Sequence, residues 1–251
     1  MAAIRVGIGG WVFAPWRGVF YPEGLPQARE LHYASRVLTS IEINGTFYGA
    51  QKPASFRKWH AETPDNFVFS VKGTRYATHR RDLRESRASV ERFFTTGVLE
   101  LGEKLGPILW QFPATTRFDA ANFAAFLEIL PHEIERRPIR HVIEVQHPSF
   151  KTEEFTELLR AHKVAAALVD SDKHPLLEEV TADFVYARLR RTVPKEATGY
   201  LPSALDAWAA RFRQWAGGAD GRDCFVYFIN GAKERAPAAA QALIERVGTP
   251  S

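Results

Sequence analysis

Charged residues recur in this chain at a two-residue spacing inside apolar runs, and that spacing gives them chemical meaning. In Ser40-Ile41-Glu42-Ile43-Asn44, Glu42 and Asn44 share one parity and the isoleucines take the other. Val68-Phe69-Ser70-Val71-Lys72 repeats the pattern with Ser70 and Lys72, and Val142-Ile143-Glu144-Val145-Gln146 with Glu144 and Gln146. Tyr186-Ala187-Arg188-Leu189-Arg190 adds Arg188 and Arg190 on the parity of Tyr186. Successive side chains of a strand point to opposite faces, so each run predicts a strand with one apolar face and one that turns polar towards its C-terminal end. Asp170 closes a further apolar run and Asn230 another.

Brought together, Glu42, Glu144 and Asp170 would face Lys72, Arg188 and Arg190. Such groups can neutralise one another as a buried network, or the cations can hold an anion while an acid moves a proton. Glu42, Glu144, Asp170 and His147, which follows Gln146, are the candidate proton-transfer groups; histidine titrates near neutrality. Lys72 could form a Schiff base if desolvated, but a fixed charge for phosphate or carboxylate demands less of its surroundings. Arg188 suits bidentate contact with the same anions, or an ion pair with Glu144 or Glu42. His79 follows the Lys72 run, and Tyr48 lies just beyond Asn44 as a candidate pocket wall. A divalent metal is a secondary expectation. No H-E-x-x-H, paired-cysteine or His-x-His spacing occurs, and Lys72 and Arg188 would oppose a dication; no cofactor is expected.

The elements that must position these residues follow from the pattern along the 251 residues. Strand candidates are Ile4–Gly9, Ser40–Asn44, Phe67–Lys72, Pro107–Phe112, His141–His147, Val164–Asp170, Phe184–Arg190 and Cys224–Asn230. Amphipathic segments at Ala54–Glu62, Ala88–Leu105, Ala120–Leu130, Glu153–His162, Ser203–Trp215 and Ala238–Val247 separate them, while the stretch after the first strand and the one around Leu176–Val180 read less clearly. Strand-then-helix alternation predicts a parallel sheet, closed or open. An open doubly wound sheet would be apolar on both parities. The polar parity seen here fits a closed α/β (β/α)8 barrel, one domain over residues 1–251, with a site at its C-terminal mouth. Gly7-Ile8-Gly9-Gly10 is followed by Val12 where a dinucleotide fingerprint needs glycine.

Composition bounds the function class. Hydrophobic residues make up 45% and charged residues 25%, a globular balance. The only cysteine, Cys224, sits in an apolar run, so no intrachain disulfide forms and a reducing, cytoplasmic setting is expected. Neither a signal-peptide design nor an apolar stretch long enough to cross a bilayer appears, so no membrane partner is expected. The formal charge of +4 suits phosphate, carboxylate or nucleic-acid partners. His79-Arg80-Arg81-Asp82-Leu83-Arg84 is the most basic segment, either a solvated helix entry or a lid over a ligand.

Several runs together carry a family resemblance: Gly9-Gly10-Trp11, Trp16-Arg17-Gly18-Val19-Phe20-Tyr21-Pro22, Glu42-Ile43-Asn44-Gly45-Thr46-Phe47-Tyr48, Thr78-His79 after Lys72, Gln111-Phe112-Pro113, Glu144-Val145-Gln146-His147-Pro148 and Tyr227-Phe228-Ile229-Asn230. Over nearly the whole chain the sequence resembles the DUF72 (YecE-like) family. That resemblance implies a TIM-barrel-like fold and brings no established reaction. It implies motif positions at Glu42, Asn44, Tyr48, Lys72, His79, Gln111, Glu144, His147, Asp170, Arg188 and Asn230. Gln146 stands where the family has arginine, Arg190 where it tends to have histidine, and Ile229 where a polar residue is common; Arg190 is a candidate to replace the cation lost at 146.

Three functions follow as expectations. The first is an enzyme (isomerase, lyase or hydrolase) acting by acid/base chemistry on a small phosphorylated or carboxylated metabolite, with Asn44, Tyr48, Lys72, His79, Gln111, Arg188, Arg190 and Asn230 binding it. The second is a nucleic-acid-binding or nucleic-acid-processing barrel using the basic segment and the upper aromatics, with salt-sensitive affinity. The third is a module that binds a small ligand without altering it.

Overall fold

The computed structural model describes residues 2–218 and 220–249. Eight parallel strands close into a barrel: β1 (Ile4–Gly9), β2 (Ser40–Ile43), β3 (Val68–Lys72), β4 (Leu105–Gln111), β5 (His141–Glu144), β6 (Ala165–Asp170), β7 (Phe184–Leu189) and β8 (Asp223–Phe228). Each pairs with its neighbours in chain order, and β1 closes the ring on β8 with Ile4 opposite Cys224 and Ile8 opposite Phe228. Around it lie α1 (Glu30–Val37), α2 (Pro53–Glu62), α3 (Arg87–Thr95), α4 (Ala120–Glu128), α5 (Glu153–Ala161), α6 (Pro202–Gly217) and α7 (Ala236–Val247).

Local chemistry starts and stops these helices. Asp119 accepts the backbone N–H of Asn122 at 2.9 Å and Thr152 that of Phe155 at 3.3 Å, capping α4 and α5. Proline stands in the first turn of α2, α6 and α7, where its missing N–H costs nothing. Two expectations change. The amphipathic stretch Ala88–Leu105 is two elements, α3 and a 3-10 stretch Val98–Lys104, because Gly97 turns left-handed between them (φ 108°). The unclear stretch after β1 contains α1, hidden behind a long aromatic loop. Between β6 and β7 the chain forms no helix: Ser171-Asp172-Lys173-His174-Pro175 has neither apolar periodicity nor a residue run that tolerates one.

The core divides by parity. Outward-facing residues such as Val6, Ile41, Phe69, Ile108 and Ile143 pack against the helices. Inward-facing Leu109, Val142, Ala165, Ala167, Val169, Phe184, Tyr186, Phe225, Tyr227 and Ile229 form a second, separate cluster that fills the barrel. The strands approach closely where β1 meets β2: a Cβ on Gly7 would lie 1.8 Å from the Ser40 carbonyl oxygen. Gly7→Ala must therefore spread the two strands, and we expect it to lower stability by about 1–3 kcal/mol, read as a reduced urea midpoint at unchanged m-value. A wild-type midpoint would show that this junction yields freely.

Candidate active site at the barrel mouth

The polar parity of β2, β3, β4, β5 and β7 converges at the C-terminal end of the barrel. One layer down, hydroxyls fill the axis: Ser40 Oγ lies 2.7 Å from the Tyr227 hydroxyl and Ser70 Oγ 2.8 Å from that of Tyr186. Tyr186 donates upward to Glu42 Oε2 at 2.6 Å, and burial, then Glu42, hold its pKa well above the ordinary value. It is a permanent donor.

Above that layer Arg188 occupies the centre. Its Nε and Nη2 donate to the two oxygens of Glu42 at 3.1 and 2.9 Å, and its Nη1 donates to Glu144 Oε2. All three side chains are shut off from solvent, with exposures of 0% for both glutamates and 2% for the arginine. Burial opposes the charge of Arg188, yet Glu144 and Glu42 raise its pKa above the ordinary value. Burial likewise opposes the charge of Glu144, but Arg188, Arg190 and the Gln111 amide hold its carboxyl below the usual range. Of the two roles open to Arg188, the ion pair is the one the geometry fills, so this arginine has little left for a ligand.

Lys72 differs. Its Nζ donates to Gln111 Oε1 at 2.7 Å, Gln111 Nε2 donates to Glu144 Oε1 at 2.7 Å, and the ammonium sits 3.9 Å above the Phe47 ring. Burial, then the Arg188 charge, lower its pKa to about 8, against the pull of Glu42 and Glu144. Among the described residues no carboxylate pairs with it. Arg190 stands on the far side of Glu144, with Nη1 3.6 Å from Oε1, and the Asn230 amide oxygen can take its Nε and Nη2 at 3.3 and 2.6 Å. Asn230 reaches there because its backbone turns left-handed (φ 63°) two residues beyond the end of β8. Counting Glu42 and Glu144 against Lys72, Arg188 and Arg190, the mouth keeps one positive charge in excess, with Lys72 and Arg190 towards the outside.

Other expected residues lie at the edge or elsewhere. Asn44 turns back to the Glu42 carbonyl at 3.4 Å. His79 is exposed, edge-on to Phe47 at 5.5 Å, with its pKa lowered by burial, Arg75 and Lys72. Three do not join the cluster. Tyr48 is 66% exposed beside Phe47. His147 spends Nδ1 on Ser149, accepting its backbone N–H at 3.1 Å and lying 2.8 Å from its hydroxyl. Asp170 has the outward parity of β6, whose inward positions belong to Ala165, Ala167 and Val169, and it accepts from the Tyr200 hydroxyl at 3.0 Å and Arg191 at 3.5 Å. Conversely, His174 was not anticipated. The helix-free β6–β7 connection places it on one cleft wall with Arg190, beside the Gln146 carbonyl. Strand parity says nothing about a loop residue, so no signal in the chain marks it.

No group of three His, Cys, Asp or Glu side chains arranged to hold a metal occurs among the described residues. Arg188, set between the two glutamates, is the physical reason at the mouth. Cys224 is buried under α6 with its thiol pushed up to about 12, principally by burial, and offers no nucleophile. Among the described residues no helix is long and apolar enough to cross a membrane.

Fold and site together define a closed parallel α/β barrel of the TIM-barrel type with an ion-paired, cation-rich C-terminal mouth. The profile of the family described as "Protein of unknown function DUF72" matches residues 5–251, and the chain belongs to that family. It is 29% identical over 116 residues to the UPF0759 protein YunF of Bacillus subtilis (strain 168), a match spanning 44% of this chain and 40% of that protein. Among solved structures, a DUF72 family protein from Thermotoga maritima MSB8 superposes with TM-score 0.75 at 24% identity, covering 96% of each chain. One from Enterococcus faecalis V583 superposes with TM-score 0.74 at 17% identity, covering 100% of this chain and 99% of that one. At these identities the likeness is one of fold.

Proposed function

We propose that the barrel mouth is the active site of an enzyme that binds a small phosphorylated or carboxylated metabolite and acts on it by acid/base chemistry. The observation that carries this reading is Lys72: a desolvated ammonium that pairs with no carboxylate among the described residues, at the edge of a mouth with one cation in excess. Glu42 and Glu144, tied to Arg188, hold the frame, and Glu144 fixes Lys72 through Gln111. Lys72 then binds the anion and supplies a proton, or stabilises negative charge, where the reaction develops it. A second cation, Arg190, holds the anion from the opposite side.

The nucleic-acid alternative has less support. In the basic segment Arg84 bonds Asp82 at 2.7 Å and Arg80 reaches Glu85 at 3.5 Å, so part of its charge is already neutralised. A panel of sugar phosphates, aldonates and short carboxylates, read by thermal shift and then by deuterium uptake from D2O in mass spectra, tests the proposal. Saturation at roughly 100 times Kd stabilises by about 2.7 kcal/mol, and the stabilising compound is expected to exchange protons or turn over. No shift with any anion rejects the site. A shift without exchange or turnover leaves a binding module, and binding only to oligonucleotides, weakening with salt, favours the nucleic-acid reading.

A further inference from the structure

Among the described residues, three buried side-chain polar atoms lack a hydrogen-bond partner, and two of them, Arg190 Nη1 and His174 Nδ1, belong to residues of the same cleft. Both residues line a cleft of about 920 Å³ beside the mouth, between the β6–β7 connection and the loop leading to α6, with Asn230, Leu201 and Trp208 also on its wall. Buried polar groups are almost always satisfied, so a pair left open in one concave space is a pair that a ligand completes.

The two open atoms are chemically different. Arg190 Nη1 is a donor carrying positive charge; Glu144 Oε1, at 3.6 Å, lies beyond hydrogen-bond reach, so the donor can still take an anionic oxygen. His174 is held neutral at physiological pH: burial, then Arg190, lower its pKa, and the Gln146 carbonyl beside the ring favours an N–H on the imidazole. Assigning that N–H to Nε2 leaves the unpartnered Nδ1 an acceptor, and an acceptor wants a hydroxyl. A plain anion would answer only half of this pair.

Resting on the barrel-mouth reading above, we infer that the cleft is a subsite for a hydroxylated anion, of the sugar-phosphate or hydroxy-acid class, with its oxyanion on Arg190 and a hydroxyl donating to His174 Nδ1. The cleft's volume is in the range that encloses a metabolite of that size. His174 is thereby a specificity-determining residue, supplied by the helix-free crossover between β6 and β7.

Matched probes separate the two halves. Gluconate against hexanoate, and glycerol phosphate against propyl phosphate, are to be titrated calorimetrically into the full chain at pH 7. The hydroxylated member of each pair is expected to bind about tenfold more tightly, the worth of a hydrogen bond that would otherwise leave a buried acceptor open. His174→Phe should erase that ratio while leaving the plain anion's Kd unchanged, and Arg190→Met should weaken every member about tenfold or more. Folding of each variant is checked by its thermal transition, with His174→Gln, which keeps an acceptor, restoring part of the ratio. In Lys72→Met the ratio should persist even where both affinities fall, so failure of the proposed chemistry and failure of this subsite are told apart. Equal affinities within both pairs, a ratio that survives His174→Phe, or no binding of any probe overturns the inference.

Discussion

Arg188→Met is expected to cost about 3–5 kcal/mol of folding free energy, the range for removing one partner of a buried ion pair. The reason lies in what remains rather than in what is lost. Glu42 and Glu144 are 0% exposed, and without the guanidinium they keep only the Tyr186 hydroxyl, the Gln111 amide and the more distant Arg190 as compensation. A urea denaturation series measures the loss. The sign with pH is also set. In the wild type the Glu144 pKa is depressed, so its stabilisation is present above the ordinary value of 4.5 and is lost as pH falls through the folded-state value. In the variant, burial without Arg188 pushes in the opposite direction, and protonation relieves it. The stability gap between the two proteins should therefore narrow as pH falls from neutrality towards 4.5. A gap that is small at neutral pH, or that widens in acid, would show that the triad is not the central support of the mouth.

Lys72→Met carries the largest expected effect on activity. With a substrate from the anion panel, loss of a positioned proton donor should lower kcat/KM by about 10²–10⁴-fold. The wild type should show kcat/KM falling as pH rises through about 8, where the free enzyme's ammonium gives up its proton. That limb should be absent from the variant's residual activity. Stability should move the other way or barely at all. Burial opposes the lysine's charge, whereas methionine fills similar volume without one, so the variant should stay within about 1 kcal/mol of the wild type. Full activity in a folded Lys72→Met protein, or a profile flat across pH 8, would remove Lys72 from the chemistry.

Both expectations concern residues that announce themselves in the chain. Glu42, Lys72, Glu144 and Arg188 sit inside strands, where a two-residue period fixes the face each side chain takes; once the fold is a barrel, one parity means one interior. The eight strands were legible to within three residues at each end for the same reason. Asp170 shows the limit of that reading. It stands at a strand end like the others, but its parity is outward, and Tyr200 and Arg191 take it up on the rim. Helix α1 was obscured by the aromatic loop before it, and His174 by belonging to no periodic element at all.

Alternation along the strands thus determined, from the chain alone, that a barrel would form and which charges would turn inward, because period and parity are local properties of a backbone. Which of those charges cancel and which stay available was decided only by the closed fold. Arg188 is held by residues 146 and 44 positions away, Lys72 reaches Glu144 only through Gln111, and a helix-free crossover brings His174 to Arg190. Pairing of charges depends on distances of a few ångströms between remote segments, and no local pattern encodes those.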